Sequence, residues 1–191
     1  MEYLDKAPVA IALTAQIACF AAISLASLRN FRPGRDSFGM MAIRVLSLGS
    51  TVGLAWLVLQ VTPGNWTAAA TTVIAAILSW RLMTIALAAA RNRVLDVAFT
   101  GNGPDQLVTT GIYGYLRNPL YTAYLIYWAG WVPVAGGHPA AVGAALMFAA
   151  IYWLAIRQEE AFLSRKFTGQ YNDYRSRTGR FLPVFSAPDD A

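Results

Sequence analysis

Charge is scarce in this 191-residue chain: Asp, Glu, Lys and Arg together make up 13% of it. An ordinary soluble domain carries about 25%. With 57% hydrophobic residues there is too little polar surface for a water-facing coat, which sets aside the soluble, disordered and fibrous classes. Cysteine is nearly absent. Cys19 is alone, so no intramolecular disulfide is possible, and its place in an apolar run suits packing. His138 has no second imidazole with which to share a metal, and no Cys/His cluster offers a zinc site, so no metal is expected. There is no G-x-G-x-x-G and no P-loop lysine motif. Gly101-Asn102-Gly103-Pro104 is only a turn, so a nucleotide-like cofactor would not sit on a soluble Rossmann fold. Repeats and low-complexity stretches are missing too, and Ser186 to Ala191 reads as a frayed acidic end.

What is present is a series of long apolar runs. A helix needs about 20 apolar residues to cross about 30 Å of hydrocarbon. Five segments are predicted to do so: about Pro8–Leu28, Met41–Val61 with Arg44 near its start, Asn65–Ala90 with Arg81 inside, Pro119–Val134, and Pro139–Ile156. The fourth is short enough to be tilted or partly interfacial. Pro63-Gly64 and Gly136-Gly137 leave room only for tight turns, so spans two and three, and four and five, form hairpins. The first span is read as retained rather than cleaved. Its start holds Glu2, Asp5 and a single Lys6, a poor basic region, and its apolar run exceeds the usual length of about 7–15 residues.

The basic residues fall on one side. Arg29, Arg32, Arg35 and Arg44 flank the first loop, Arg91, Arg93 and Arg117 lie in the third, and Arg157, Arg165, Lys166, Arg175, Arg177 and Arg180 are in the tail. Of the 15 Lys and Arg, only Lys6 and Arg81 lie elsewhere. The positive-inside rule then puts the N-terminus outside and the C-terminus in the cytoplasm. Orientation accounts for the net charge of +5, so nucleic-acid binding loses its main support. The expected fold is an all-α integral membrane protein. It has about five transmembrane helices and a cytoplasmic amphipathic C-terminal helix, as a single membrane domain. Residues 1–90 hold helices one to three and 91–183 the cofactor-binding and catalytic part.

Two cytoplasmic segments, Arg91–Asn118 and Arg157 to the end, are too long to be mere connectors. In the first, Gly111 and Gly114 allow turns and close approach to a ligand. Pro119 suits a first helical turn with Asn118 as its cap, and such a helix start attracts a ligand carboxylate. An interfacial loop anchored by tyrosines is the plainer reading. In the second, Glu159 and Glu160 stand where the fifth span leaves the bilayer. Paired carboxylates there, near the negative end of a helix, call for a cation. A ligand ammonium or sulfonium would serve, and so would Arg157 or Lys166. Beyond them, Phe162, Leu163, Phe167, Tyr171 and Tyr174 recur every three to four residues, an amphipathic pattern that could lie on an anionic leaflet. Tyr171 and Tyr174 are read as packing residues.

Tyr121, Tyr124, Trp128 and Trp131 share a stripe of the fourth span, as belt and bundle packing or as the wall of a lipid cavity. Arg81 is the one charge placed deep in a span, and intramembrane charges are functional candidates unless they snorkel. Arg81, Tyr124 and Trp128 are the candidate substrate residues.

The ordered blocks Leu107-Val108-Thr109-Thr110-Gly111-Ile112-Tyr113, then Arg117-Asn118-Pro119-Leu120-Tyr121, Glu159-Glu160, Phe167, Tyr171, Tyr174 and Arg180-Phe181-Leu182-Pro183 resemble the isoprenylcysteine carboxyl methyltransferase family. They also resemble the wider membrane methyltransferases that include phospholipid N-methyltransferases. The resemblance covers roughly residues 105–183, about 40% of the chain. It implies S-adenosylmethionine as methyl donor, bound at the cytoplasmic face by Asp105, Gln106, Leu107, Val108, Tyr113, Asn118, Pro119, Leu120, Tyr121 and Glu159. Glu159 would compensate the cofactor ammonium. Membrane lipids surround the chain, and a lipidic or prenylated acceptor would enter from the bilayer, with Arg157 and Glu160 beside it as catalytic candidates. Asn118 stands where the family usually has His. Ala155 stands where it often has an Arg for the substrate carboxylate, and Arg157 points about 200° away from that position on a helix. The expected reaction is carboxyl O-methylation of an isoprenylcysteine-like lipid. The alternatives are N-methylation of a lipid amine, an NADPH-dependent sterol or enone reductase, and a non-enzymatic scaffold binding anionic lipid through its basic tail.

Overall fold

A computed structural model describes residues 6–30, 37–61, 64–90 and 107–184. The described residues form seven α-helices: α1 (Ala7–Asn30), α2 (Ser37–Val61), α3 (Trp66–Ala89), α4 (Pro119–Ala129), α5 (Trp131–Val134), α6 (Pro139–Lys166) and α7 (Thr168–Arg177). A 3-10 turn at Gly111–Gly114 precedes α4. Local signals set several of the ends. Asn65 Oδ1 accepts the Ala68 N–H at 3.1 Å and starts α3. His138 Nδ1 accepts the Ala140 N–H at 3.2 Å and starts α6, with Pro139 in the first turn. The turn before it depends on Gly136 and Gly137, whose φ values of 59° and 75° suit only glycine well.

Four helices, α1, α2, α3 and α6, are long and apolar enough to cross a membrane. The fourth predicted span does not form one continuous helix. It divides at Gly130 into α4, of 11 residues, and α5, of four. At 1.5 Å per residue α4 is about 16 Å long, roughly half of a hydrocarbon core. Pro133 has no N–H for the Ala129 carbonyl, which interrupts the helical bonding, and the backbone beside it at Gly130 is closely packed. A side chain at Gly130 would come within 2.7 Å of Gln16 Nε2 and 3.0 Å of Ala75 Cβ, so α1 and α3 close in on the backbone there.

Three buried side chains hold that backbone. Ser79 donates to the Ala123 carbonyl at 2.7 Å, Gln16 to the Tyr127 carbonyl at 3.3 Å, and Thr72 to the Gly130 carbonyl at 3.0 Å. The Ala123 carbonyl lies inside α4, so the Ser79 bond ties α3 to α4, whereas Tyr127 and Gly130 stand at the break, where Gln16 and Thr72 do the work that water does elsewhere. The central helix is α3, packed chiefly between α1 and α4, and α6 closes the other side of α4. Trp128 stacks on Phe148 with ring centroids 3.7 Å apart and ties α4 to α6. Helix α2 is the outlier, burying only Thr51, Leu54 and Val58 among its described side chains.

The predicted amphipathic tail helix is also divided. Helix α6 runs on through the paired glutamates to Lys166, and Phe167 separates it from α7. Helix α7 then folds back toward the segment before α4. A short parallel bridge pairs Leu116 with Gly179, through Arg117 N–H to the Gly179 carbonyl (2.7 Å) and Gly179 N–H to the Tyr115 carbonyl (3.1 Å). Glycine is required at 179, because a Cβ there would overlap the Leu182 carbonyl.

Candidate active site

Helix α6 places Glu159 and Glu160 about 100° apart, so they meet different neighbours. Glu160 is buried and accepts several donors. Arg180 Nη2 reaches Oε2 at 2.6 Å and its Nε reaches Oε1 at 3.3 Å. Arg117 Nε lies 3.4 Å and Asn118 Nδ2 3.1 Å from Oε1. The side chains of Glu160 and Arg117 each retain 10% of their exposure, so the Glu160 carboxylate is largely desolvated and fully compensated by the two arginines. Arg117 also donates Nη1 to the Arg175 carbonyl at 2.8 Å and to the Thr178 carbonyl. Asn118 Nδ2 reaches the Arg180 carbonyl at 3.4 Å. The tail is thereby fastened to the start of α4 and the end of α6 at one point.

Glu159 differs. Its Oε2 accepts the Tyr121 hydroxyl at 3.0 Å, and among the described residues no Lys, Arg or His pairs with it. Among the described residues this half-buried carboxylate has one neutral donor and no cation, which leaves acceptor capacity. Around it stand aromatic rings. Tyr121 and Tyr124 lie 6.0 Å and 5.3 Å from Tyr152 by ring centroid. Tyr113 is close enough to Glu159 to feel its charge: burial first, and the carboxylate second, push the phenol above its ordinary value. The backbone carbonyl of Tyr113 accepts the Tyr174 hydroxyl at 2.9 Å, so α7 closes over this turn. Burial likewise raises Tyr171 and Tyr174, which stay neutral and pack. Gly111, with φ 64°, lets the turn approach the end of α3, where a Cβ would come within 3.0 Å of Ala89 Cβ.

The sequence-predicted site residues thus divide. Tyr113, Tyr121 and Glu159 come together, while Leu107, Val108 and Leu120 are half-buried and Pro119 is buried. Asp105, Gln106, Arg91 and Arg93 lie outside the described residues. Asn118 occupies the cap position of α4 without a side-chain capping bond, since its amide has turned to Glu160. Glu160 is occupied by its arginines and not turned to a ligand. Arg157 is exposed and shares a face of α6 with Leu154, Gln158, Ala161 and Arg165, away from Glu159, while Glu160 takes its bonds from Arg117, Asn118 and Arg180.

The candidate substrate residues separate as well. Tyr124 shares a hydrogen bond of 2.9 Å with Ser27 beside Tyr152. Trp128 is fully buried, with its indole N–H 3.3 Å from the Tyr152 hydroxyl, and belongs to the core. Arg81 is exposed on the stripe of α3 that also carries Ile74, Ile77, Leu78 and Ile85. That stripe is opposite the face packed on α1 and α4. Sequence reasoning missed the roles of Arg117, Arg180 and Thr178. The available signal was that two adjacent acids at one depth need separate partners, and that both arginines stand in the motif blocks yet had been given no partner.

Residues 65–170, just over half of the chain, match the phospholipid methyltransferase family. Similarity to curated proteins runs over shorter stretches. The chain is 32% identical over 92 residues to a protein-S-isoprenylcysteine O-methyltransferase from Schizosaccharomyces pombe, covering 46% of this chain and 37% of that protein. It is 32% identical over 116 residues to the nickel-cobalt-cadmium resistance protein NccN of Alcaligenes xylosoxydans xylosoxydans, covering 61% and 54%. It is 29% identical over 110 residues to the cobalt-zinc-cadmium resistance protein CzcN of Cupriavidus metallidurans, covering 58% and 50%. The chain therefore spans about half or less of the length of these relatives. No group of three metal-ligating side chains comes together among the described residues. The resemblance carried by the motif blocks holds: this chain belongs to the phospholipid methyltransferase family of membrane methyltransferases.

Proposed function

We propose that the chain transfers a methyl group from S-adenosylmethionine to a lipidic acceptor, at the cytoplasmic face of the membrane. The observation that carries this reading is the contrast between the two glutamates. Glu160 is neutralised by Arg117 and Arg180, whereas Glu159 is held by the Tyr121 hydroxyl and faces no described cation. A cationic ligand suits Glu159, and an anionic one does not. When bound, S-adenosylmethionine supplies an electrophilic methyl group on a sulfonium.

The chain's own residues then bind and orient. Glu159 takes the ligand ammonium, Tyr121 fixes the carboxylate, and the Tyr113 turn and the segment at Leu107 and Val108 close around the cofactor. Asp105 and Gln106 are proposed to contribute from the same segment. The rings of Tyr121, Tyr124 and Tyr152 keep water from the acceptor and align it, which is the main demand of an in-line displacement.

Two acceptors are in view. Carboxyl O-methylation of an isoprenylcysteine-like lipid follows the Schizosaccharomyces pombe relative. N-methylation of a lipid amine is favoured by Ala155, which is buried and offers no cation for a substrate carboxylate. Detergent-purified protein titrated calorimetrically with S-adenosylmethionine and NADPH tests the cofactor. Binding of NADPH alone overturns the proposal, and binding of neither favours a scaffold. Glu159→Gln is expected to abolish S-adenosylmethionine binding with little change in thermal unfolding. Radiolabelled methyl transfer into a farnesylcysteine analogue or phosphatidylethanolamine separates the acceptors, since a methyl ester is released by alkali and an N-methyl group is not.

A further inference from the structure

We propose that the strap after α7, residues 180–184, inserts its apolar side chains into the head-group region of the bilayer beside the cytoplasmic end of α6. Leu146 and Trp153 stand seven residues apart on one stripe of α6 and are 66% and 41% exposed. Both lie in the apolar run that makes α6 long enough to cross a membrane, so that stripe faces lipid. Glu160 is the next residue of the same stripe, and there the strap crosses it. Arg180 does not stop at Glu160. Its guanidinium also lies 4.9 Å from the centroid of the Trp153 ring, and the Phe181 ring lies 6.1 Å from it. Trp153 precedes Glu159 by six residues, about 9 Å along the axis. The strap thus returns toward the hydrocarbon from the level of the glutamates.

What it presents there is apolar. Leu182 is 78% exposed, Val184 is exposed with it, and the exposed Tyr115 adjoins them, its carbonyl accepting the Val184 N–H at 3.4 Å. The backbone suits an interface too. Pro183 has no N–H to strip of water, and the Val184 N–H is already bonded. The carbonyls of an irregular segment keep it at head-group depth, short of the hydrocarbon. Helix α7 turns Tyr171 and Tyr174 to protein instead, so the strap and not α7 meets the bilayer. The tail is then seated from two sides: Glu160 holds Arg180 from within, and lipid covers Leu182 and Val184 from without. This surface is apart from the Glu159 pocket and does not depend on the methyl-transfer reading.

The test is spin labelling of the full chain in phosphatidylcholine nanodiscs. Cys19 is first replaced by Ser, whose hydroxyl can keep the bond to the Ala76 carbonyl. Labels at Leu182→Cys and Val184→Cys are compared with Leu146→Cys for hydrocarbon and Gln170→Cys, exposed on α7, for water. Accessibility to molecular oxygen against a water-soluble nickel chelate reads depth. Positions 182 and 184 are expected about 5–10 Å below the aqueous boundary. Leu182→Glu is expected to shift the label at 184 toward the value at Gln170. Accessibility at 182 and 184 equal to that at Gln170 overturns the proposal. Protection from both reagents also overturns it, by showing a protein cover such as a second copy of the chain. So does an unchanged depth at 184 in Leu182→Glu, because the bridge to Leu116 would then set the position alone.

Discussion

At Glu159 the carboxylate accepts one phenol and keeps the rest of its capacity for a ligand, and this arrangement fixes what Tyr121 contributes. Tyr121→Phe is expected to weaken S-adenosylmethionine binding about tenfold, the size of a lost hydrogen bond to a charged group, with the calorimetric midpoint as readout. Glu160 responds differently. Glu160→Ala leaves Arg117, Asn118 and Arg180 without their acceptor and is expected to cost about 2–3 kcal/mol in thermal unfolding. That is less than for a fully buried pair, because the Arg180 side chain keeps 28% of its exposure. The depth of both glutamates at the end of an apolar run was legible, and with it their need for partners. Which of the two was spoken for was not, because that depends on an arginine 20 residues further along returning to the same point. Arg157 makes a related point: it lies two residues from Glu159 in sequence yet on a different face of the helix.

Among the elements, the divided fourth helix was the least legible. Residues 119–134 read as one apolar run, and hydropathy registers neither the pressure of α1 and α3 on Gly130 nor the donors that catch the freed carbonyls. Ser79→Ala removes the bond that ties α3 to the Ala123 carbonyl of α4 and is expected to lower stability by about 1 kcal/mol, measured by unfolding in detergent. Helix α7 was legible as an amphipathic segment but not as a separate helix, since its partner surface is the turn before α4. Gly179→Ala displaces the bridge to Leu116 and is expected to loosen the tail, seen as faster proteolysis after Arg177. The phenols beneath α7 add a pH dependence. Burial raises Tyr171 and Tyr174 above the ordinary phenol value of 10.0. Their neutral form therefore favours the folded state fully below about pH 10. Above that pH the unfolded chain releases protons that the folded chain retains, and stability falls. Unfolding midpoints should be flat with respect to these groups up to about pH 10 and should decline beyond it.

For the whole molecule, membrane residence was legible from composition alone, because 13% charge cannot coat a soluble surface. The family was legible from the ordered motif blocks of the C-terminal part. The looseness of α2 was not, since α2 is as apolar as its neighbours and differs only in how little of it is buried. The adjacency of Glu159 and Glu160 also has a consequence for how this sequence can vary in length. One alanine inserted after Ile156 would turn everything downstream by about 100°. Glu159 would then arrive among the arginines, Glu160 would swing to the exposed outer face of α6, and Gln158 would face Tyr121. Such a single-residue lengthening, with no residue lost, should reproduce the binding defect of Glu159→Gln. The helix is thus far less tolerant of insertion or deletion upstream of the pair than of most substitutions along it.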